Sequence, residues 1–119
     1  MKRIVLVDDD ENLLKVYRFF LSKEGYEITT FGNARDALQY VSDGQAADLF
    51  ILDVELPDMS GLELMQQIRN RMGVVRPPII ISSGYEQYKN NFNSWLADDY
   101  LIKQPDLNSL KAKVHSFLA

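Results

Sequence analysis

The chain has 119 residues, of which 46% are hydrophobic, and its formal net charge at pH 7 is −4. This length and composition predict a single folded domain over residues 1–119 with a hydrophobic core, and they leave no room for a second domain. The 13 Lys and Arg residues are scattered and cysteine is absent, which argues against direct nucleic-acid binding and excludes disulfides and thiolate metal sites.

The first predicted element is a strand. Ile4 to Val7 form a continuous, β-branched-rich run that stops at three aspartates, Asp8, Asp9 and Asp10, as expected of a strand buried on both faces. The run is too short for a signal sequence or a membrane span. Together with the lack of cysteine, this predicts a cytoplasmic protein without membrane contact.

A regular alternation of helices and strands follows. The first helix has apolar residues at helical spacing and a C-terminal cap, at Leu13, Tyr17, Phe20, Leu21 and Gly25. Further strands are predicted at Tyr26 to Phe31, Asp48 to Asp53, Ile79 to Ile81 and Tyr100 to Ile102. The second helix is predicted between a cap at Asn33 and an end at Gly44, and the third between a capping box at Ser60–Glu63 and an end at Gly73. The fourth helix is predicted from aromatic residues at helical spacing, which are Tyr85, Tyr88, Phe92 and Trp95. The fifth is predicted from an apolar stripe, which consists of Leu107, Leu110, Val114, Phe117 and Leu118.

Five strands that alternate with five helices predict the α/β class. Doubly buried strands joined through helices form a parallel sheet, because right-handed crossovers place helices on both of its faces. We therefore expect a single doubly wound, five-stranded parallel sheet of the flavodoxin-like (βα)5 type, with strand order 2-1-3-4-5. In such folds ligands bind outside the carboxyl ends of the strands.

Polar residues follow four of the predicted strands. Asp8 and Asp9 follow the first, Asp53 the third, Ser83 the fourth and Lys103 the fifth, and these side chains are expected to converge. Carboxylates brought together repel one another unless a cation joins them, and a hard divalent ion is the natural partner of oxygen ligands. The sequence therefore predicts a Mg2+ site at this edge of the sheet.

The same residues predict phosphoryl chemistry. An ionised aspartate next to Mg2+ is a competent nucleophile toward phosphorus and would form an acyl phosphate, because the metal neutralises the approaching phosphoryl oxygens. Asp53 is the predicted nucleophile. Lys103 and Ser83 would supply an ammonium and a hydroxyl to the new phosphoryl group.

Three segments of the chain resemble the receiver domains of two-component response regulators. They are Val7-Asp8-Asp9, Leu52-Asp53 with the following Leu56-Pro57-Asp58-Met59-Ser60-Gly61, and Ala97 to Lys103. The resemblance implies that Asp53 is the phosphoacceptor for a histidine kinase or phosphotransfer protein, and that Mg2+ is bound by Asp8, Asp9, Asp53 and the backbone carbonyl of Glu55. It also implies that Lys103 contacts the phosphoryl group and that Ser83 and Tyr100 form the switch.

By the same resemblance, the chain is a signalling domain rather than an enzyme with an external substrate. It would catalyse only its own phosphorylation and a slow autodephosphorylation. Phosphorylation is expected to alter the face formed by the fourth helix, fifth strand and fifth helix (the α4-β5-α5 face), which could bind an output domain, another partner or a second copy of the chain.

The sequence departs from the family pattern at three places. Gln104 stands where a proline usually follows the lysine, so that a cis bond could occur only at Pro105. Leu96 replaces a common glycine, and Ser82-Ser83-Gly84 replaces the more common Thr-Ala. Ser83 rather than Ser82 is taken as the switch hydroxyl because of its distance from Pro78.

Other interpretations fit parts of the pattern. Three aspartates after a strand also resemble haloacid-dehalogenase-like phosphatases, in which Asp8 would be the nucleophile. A pseudo-receiver that binds partners without being phosphorylated would fit the missing Lys-Pro pair. A flavodoxin would need a Ser/Thr/Gly-rich phosphate loop after the first strand. Structural roles are also possible for two of these residues. Asp10 would then only cap the first helix, and Tyr100 would only pack in the core instead of forming a switch.

Overall fold

Five parallel strands form one sheet in the computed structural model, which describes residues 1–73, 76–84, 97–103 and 107–118. The strands are β1 (Arg3–Val7), β2 (Glu27–Phe31), β3 (Leu49–Asp53), β4 (Ile79–Ser83) and β5 (Asp99–Ile102). Their order in the sheet is β2-β1-β3-β4-β5, and every neighbouring pair is parallel. The predicted doubly wound α/β architecture and its strand order are confirmed.

The helices of the described residues are α1 (Glu11–Lys23), α2 (Ala34–Ser42), α3 (Gly61–Met72) and a C-terminal helix (Leu107–Leu118). The predicted fourth helix, with its aromatic residues, and the segment of Gln104 and Pro105 lie outside the described residues. In the part of the chain that the structure covers, no helix is both long and apolar enough to cross a bilayer.

Short polar side chains begin the first three helices, as their sequence signals predict. The Asp10 carboxylate accepts hydrogen bonds from the backbone N–H groups of Asn12 and Leu13 at 3.0 and 3.2 Å. Asn33 begins α2 and Ser60 begins α3 in the same way. These oxygens bind N–H groups that have no partner within the helix, and they thereby fix the start of each helix.

The two faces of the sheet carry separate hydrophobic cores, because alternate residues of each strand point to opposite sides. Val5, Phe50 and Ile81 face α2 and α3. Ile4, Ile51 and Ile80 face α1 and the C-terminal helix. The central strands are buried on both sides, which explains why they read in the sequence as unbroken apolar runs.

Asp58 connects the loop after β3 to the start of α2. Its two carboxylate oxygens accept hydrogen bonds from the backbone N–H groups of Ala34 and Arg35, each at 2.9 Å. The bond from Ala34, with a smaller contribution from Arg35, holds the pKa of the Asp58 carboxyl below its usual range. A negative charge at a helix N-terminus is also favoured by the helix dipole.

We predict that Asp58→Ala lowers the free energy of unfolding at pH 7 by about 1 kcal/mol, the usual cost of losing a helix cap. Because folding lowers the pKa of Asp58, its contribution is fully present above the unfolded pKa of about 3.9 and is lost as the pH falls through the folded pKa. Urea denaturation at pH 7 and at lower pH values would measure the difference.

Asp43→Ala is the matched control at the other end of α2. Its carboxylate accepts a side-chain hydrogen bond from Gln39 at 2.8 Å and caps the N-terminus of none of the described helices. It should change stability by less than about 0.5 kcal/mol. Equal losses in the two variants, or an Asp58 effect that does not shrink on acidification, would contradict the capping role.

Candidate functional site

Three carboxylates meet at the carboxyl edge of the sheet. β1 and β3 are neighbours with Val7 opposite Leu52, so Asp8 and Asp53, which follow these two residues, are also neighbours. Oxygen atoms of Asp8, Asp9 and Asp53 lie within 4.8 Å of one another. Asp8 and Asp53 are buried, with 4% and 5% of their surface exposed, while Asp9 is exposed. The predicted convergence of these three residues is therefore present.

Lys103 reaches the same cluster from the far side of β4. Its Nζ lies 2.6 Å from Oδ2 of Asp8 and 3.1 Å from Oδ1 of Asp53. The backbone N–H of Lys103 donates to the carbonyl of Ser83 at 2.7 Å, which fixes the start of the side chain. A single ammonium thus contacts both buried carboxylates.

The protonation of the site reflects opposing effects. Burial raises the pKa of the Asp53 carboxyl, and the charge of Asp8 raises it further, while Lys103 and the N–H of Glu55 act in the opposite direction. Burial alone would lower the pKa of the Lys103 ammonium, but its contacts with Asp8 and Asp53 outweigh burial and raise it. The ammonium is therefore charged at neutral pH, and the cluster keeps an excess of acidic groups that suits a divalent cation.

The loop after β3 turns back tightly on Asp53. Glu55 forms an isolated antiparallel bridge with Ser60, and its N–H donates to Oδ1 of Asp53 at 3.3 Å. The N–H of Gly61 donates to the carbonyl of Val54 at 2.7 Å. This turn keeps Glu55 beside the carboxylates, where the sequence predicts that its backbone carbonyl binds metal; that role stays a prediction.

Gly61 permits the turn because it has no side chain. A Cβ atom at this position would collide with the carbonyl oxygen of Asp53 and would lie 2.7 Å from its carbonyl carbon. Both atoms belong to the backbone and cannot move aside as a flexible side chain could. The glycine of the Met59-Ser60-Gly61 segment is therefore required for the position of Asp53.

The two serines at the end of β4 point to opposite faces of the sheet. Ser83 shares a face with Tyr100, because Tyr100 pairs with Ile81 and side chains two residues apart lie on one side. Tyr100 is partly buried and packs against the α2 and α3 core. Ser82 pairs with Asp53 across the neighbouring strand, and both serines are 2% exposed.

Sequence reasoning assigned no role to Ser82, although it is the serine in register with Asp53. The strand alternation in the sequence shows that Ser82 and Ser83 face opposite ways, but only the register of β3 and β4 shows which of them lies next to Asp53. The predicted switch role of Ser83 requires its hydroxyl to reach a phosphoryl group on Asp53, but Ser83 shares its face with Tyr100 and Ser82 shares its face with Asp53. Of the two serines, Ser82 is therefore the better placed for that role. The switch hydroxyl and the role of Tyr100 stay predictions.

Comparison with known proteins gives a consistent family. The family model for the response regulator receiver domain matches residues 4–115. The transcriptional regulatory protein CrdR of Helicobacter pylori is 36% identical over 118 residues, which are 98% of this chain and 54% of that protein. The alkaline phosphatase synthesis transcriptional regulatory protein PhoP of Bacillus subtilis is 29% identical over 98% of this chain and 48% of its own length. The chain thus spans about half the length of these relatives.

Solved structures agree with this result. The response regulator protein TrrA of Thermotoga maritima, crystallised in complex with Mg2+-BeF, is 39% identical, with a TM-score of 0.89 over 99% of this chain and 100% of that chain. TrrA in complex with the histidine kinase ThkA gives a TM-score of 0.88 at 39% identity, with complete coverage of both chains.

We predict that Gly61→Ala lowers the free energy of unfolding by about 1–3 kcal/mol, the usual cost of forcing extra atoms into a packed position. The backbone of Asp53 must shift to relieve the collision, so the carboxylate should also move relative to Lys103. Chemical denaturation measures the first effect, and backbone amide chemical shifts of residues 53–61 measure the second.

Gly32→Ala is the control, because a Cβ atom there meets nothing within 4 Å. It should leave stability unchanged or raise it by about 0.4–1 kcal/mol, since alanine restricts the unfolded chain. If Gly61→Ala is as stable as Gly32→Ala, the turn does not depend on the glycine.

Proposed function

The chain belongs to the response regulator receiver domain family, and from this premise we propose that it is a phosphorylation-dependent signalling switch in which Asp53 accepts the phosphoryl group. The observation that carries the proposal is the buried Asp53 carboxylate, whose Oδ1 lies 3.1 Å from the Lys103 ammonium and which shares a cluster with Asp8 and Asp9. A nucleophile, a fixed cation and further acidic ligands are the parts that phosphoryl transfer to a carboxylate needs.

We propose that the acidic cluster binds Mg2+ through Asp8, Asp9, Asp53 and the backbone carbonyl of Glu55. Their oxygen donors and their excess negative charge fit this ion, and the related TrrA is described in complex with Mg2+-BeF. When bound, Mg2+ would supply neutralising charge for the oxygens of the approaching phosphoryl group. The remaining steps depend on residues of the chain.

In the proposed reaction, a carboxylate oxygen of Asp53 attacks phosphorus and a phosphoramidate bond to a histidine nitrogen of the donor breaks. The electron pair of that bond stays on the nitrogen, which takes up a proton. Lys103 contacts the Asp53 carboxylate beforehand and would follow the negative charge onto the phosphoryl oxygens. The hydroxyl that would donate to one of them is that of Ser82, which lies on the same face as Asp53, rather than that of Ser83. The product is an acyl phosphate on Asp53.

We propose that the donor is a histidine kinase or a phosphotransfer protein. The structure of TrrA with the kinase ThkA shows such a pairing for a related protein. The chain would catalyse only its own phosphorylation and the slow hydrolysis of its acyl phosphate, so it would not turn over an external substrate. The proposed location is the cytoplasm, with no membrane contact and no direct nucleic-acid contact by this domain.

The proposed signal passes from Asp53 to one surface. Movement of the end of β4 toward the phosphoryl group, drawn by the Ser82 hydroxyl, would make room beside Ser83 for Tyr100, which shares the face of Ser83. Phosphorylation would thereby shift an equilibrium between two conformations of the chain toward the one in which Tyr100 points inward. The altered surface is the predicted α4-β5-α5 face, which would bind an output domain, another partner or a second copy of the chain.

Two alternatives make different use of the same residues. A phosphatase of the haloacid-dehalogenase type would need Asp8 as its nucleophile, but both oxygens of Asp8 are engaged, Oδ2 by Lys103 at 2.6 Å and Oδ1 by the N–H of Asp10 at 2.9 Å. The contacts of Asp53 with Lys103 and with the N–H of Glu55 both fall on Oδ1. A pseudo-receiver would never be phosphorylated, yet the chain retains the acidic cluster and the lysine. Family membership and this geometry favour phosphorylation of Asp53.

The direct test is mass spectrometry after incubation with acetyl phosphate. We expect a single phosphoryl adduct on a peptide that contains Asp53, dependent on Mg2+ and absent from Asp53→Ala. Asp43→Ala, which changes a distant carboxylate, should be labelled like the unaltered chain. An adduct on Asp8 would favour a phosphatase, and no adduct with acetyl phosphate or with candidate kinases would favour a pseudo-receiver.

Lys103 gives a second prediction. Since its ammonium occupies the carboxylates that Mg2+ would bind, Lys103→Gln should bind Mg2+ several-fold more tightly while losing most of its phosphorylation rate. Isothermal titration calorimetry measures the affinity. Lys113→Gln, which removes an ion pair with Asp99 at 3.0 Å, should leave Mg2+ affinity unchanged. Weaker Mg2+ binding in Lys103→Gln would show that the lysine positions the ligands rather than competing with the ion.

A further inference from the structure

An ion pair joins α3 to the start of β5. Nη2 of Arg69, on α3, lies 3.0 Å from Oδ2 of Asp98, the residue directly before β5. The Arg69 side chain is 19% exposed, and its Nε is buried without a hydrogen-bond partner among the described residues. A charge that is largely removed from water depends on its counter-ion far more than an exposed charge does. This ion pair is therefore more than a surface contact.

Asp98 also holds the start of β4. The carboxylate oxygen that contacts Arg69 accepts the backbone N–H of Ile79 at 2.8 Å, and the N–H of Asp98 donates to the carbonyl of Ile79 at 2.9 Å. Both backbone groups of Ile79, the first residue of β4, are thus bonded to one aspartate. Two contacts to β4 and one to α3 fix the point at which β5 begins.

β5 is a strand that depends on such an anchor. It has four residues, and β4 is its only neighbour among the described strands. A short edge strand has a single ladder of hydrogen bonds to hold its register, and a shift along that ladder moves every side chain of the strand. At the far end of β5, the N–H of Lys103 donates to the carbonyl of Ser83 at 2.7 Å. The contacts at both ends therefore set the backbone position from which the Lys103 side chain extends.

α3 connects this anchor to the loop of the proposed phosphoacceptor. Its first residue, Gly61, packs closely against the backbone carbonyl of Asp53. Arg69 lies eight positions further along the same helix, a distance of about 12 Å at 1.5 Å per residue. From Asp98, β5 leads back to Lys103, whose Nζ lies 3.1 Å from Oδ1 of Asp53. The positions of Asp53 and Lys103 therefore both depend on the same helix.

We propose that Arg69 and Asp98 are positioning residues for Lys103, an inference that rests on the proposed phosphorylation of Asp53. They lie at the amino-terminal edge of the sheet, opposite the acidic cluster, so they touch no reacting atom. Through β5 they hold the ammonium of Lys103 where it contacts Asp8 and Asp53 together. Loss of the ion pair lets β5 shift along β4, and the ammonium then spends less time between the two carboxylates.

The test is a double-mutant cycle of Arg69→Met, which removes the guanidinium and keeps an apolar stem, with Lys103→Gln. Calorimetry measures Mg2+ affinity, and incubation with acetyl phosphate measures the phosphorylation rate. We expect Arg69→Met alone to change Mg2+ affinity in the same direction as Lys103→Gln and to lower the rate by roughly two- to tenfold, as for other residues that act at a distance.

In the Lys103→Gln background, Arg69→Met should change neither quantity further, because the side chain that it positions is absent. The loss of melting temperature caused by Arg69→Met should be the same in both backgrounds. A purely structural ion pair would instead add its effect to that of Lys103→Gln in every measurement.

Arg3→Met is the matched control. It removes an ion pair of 3.1 Å between Arg3 and Glu27 at the other edge of the sheet, where the two side chains are 38% and 46% exposed. It should keep the Mg2+ affinity and the phosphorylation rate. Backbone amide chemical shifts of residues 100–103, recorded without Mg2+, should change in Arg69→Met and stay in place in Arg3→Met.

Additive effects of the two substitutions, or an Arg69→Met chain with unaltered affinity and rate, would overturn the positioning role and leave Asp53 as phosphoacceptor. If Arg69→Met does not fold, Asp98→Asn, which keeps an oxygen for the N–H of Ile79, should show the same coupling to Lys103→Gln. An unaltered chain that takes no phosphoryl group would overturn the proposed function itself, and the chemical shifts would still decide whether the ion pair positions β5.

Discussion

The contact of one ammonium with two buried carboxylates is the constraint around which this site is built. Burying Asp8 and Asp53 side by side would be strongly unfavourable without a cation, because two negative charges in a low-dielectric region repel each other and lose their hydration. Lys103 compensates part of this cost from across β4. The compensation is incomplete, since Asp9 adds a third acidic group, and this remaining imbalance makes the cluster a suitable site for Mg2+.

The loop that follows Asp53 is held by contacts of Gly61 and Asp58. Gly61 allows the following loop to close against the Asp53 carbonyl, and Asp58 fastens the same loop to the start of α2. The segment that carries the proposed metal ligand at Glu55 is therefore fixed at both ends. These contacts hold the loop in one position relative to the carboxylates.

Opposite faces of β4 give its two terminal serines different environments. Ser83 points to the face that carries Tyr100. Ser82 points to the face that carries Asp53 and a small cavity. Of the two hydroxyls, that of Ser82 therefore lies on the side of the proposed phosphoacceptor.

The sequence by itself determined the five-stranded parallel sheet and the acidic edge, because doubly buried strands appear as continuous apolar runs and parallel strands end at a shared edge. The strand order followed from the flavodoxin-like fold type that this pattern indicates. Asp8, Asp9, Asp53 and Lys103 could be found in this way without coordinates. Only the tertiary structure decided the pairing of Ser82 with Asp53, and the bonds of Asp58 to α2. These contacts join residues 23 or more positions apart, and they depend on strand register and loop path, which no local pattern in the sequence specifies.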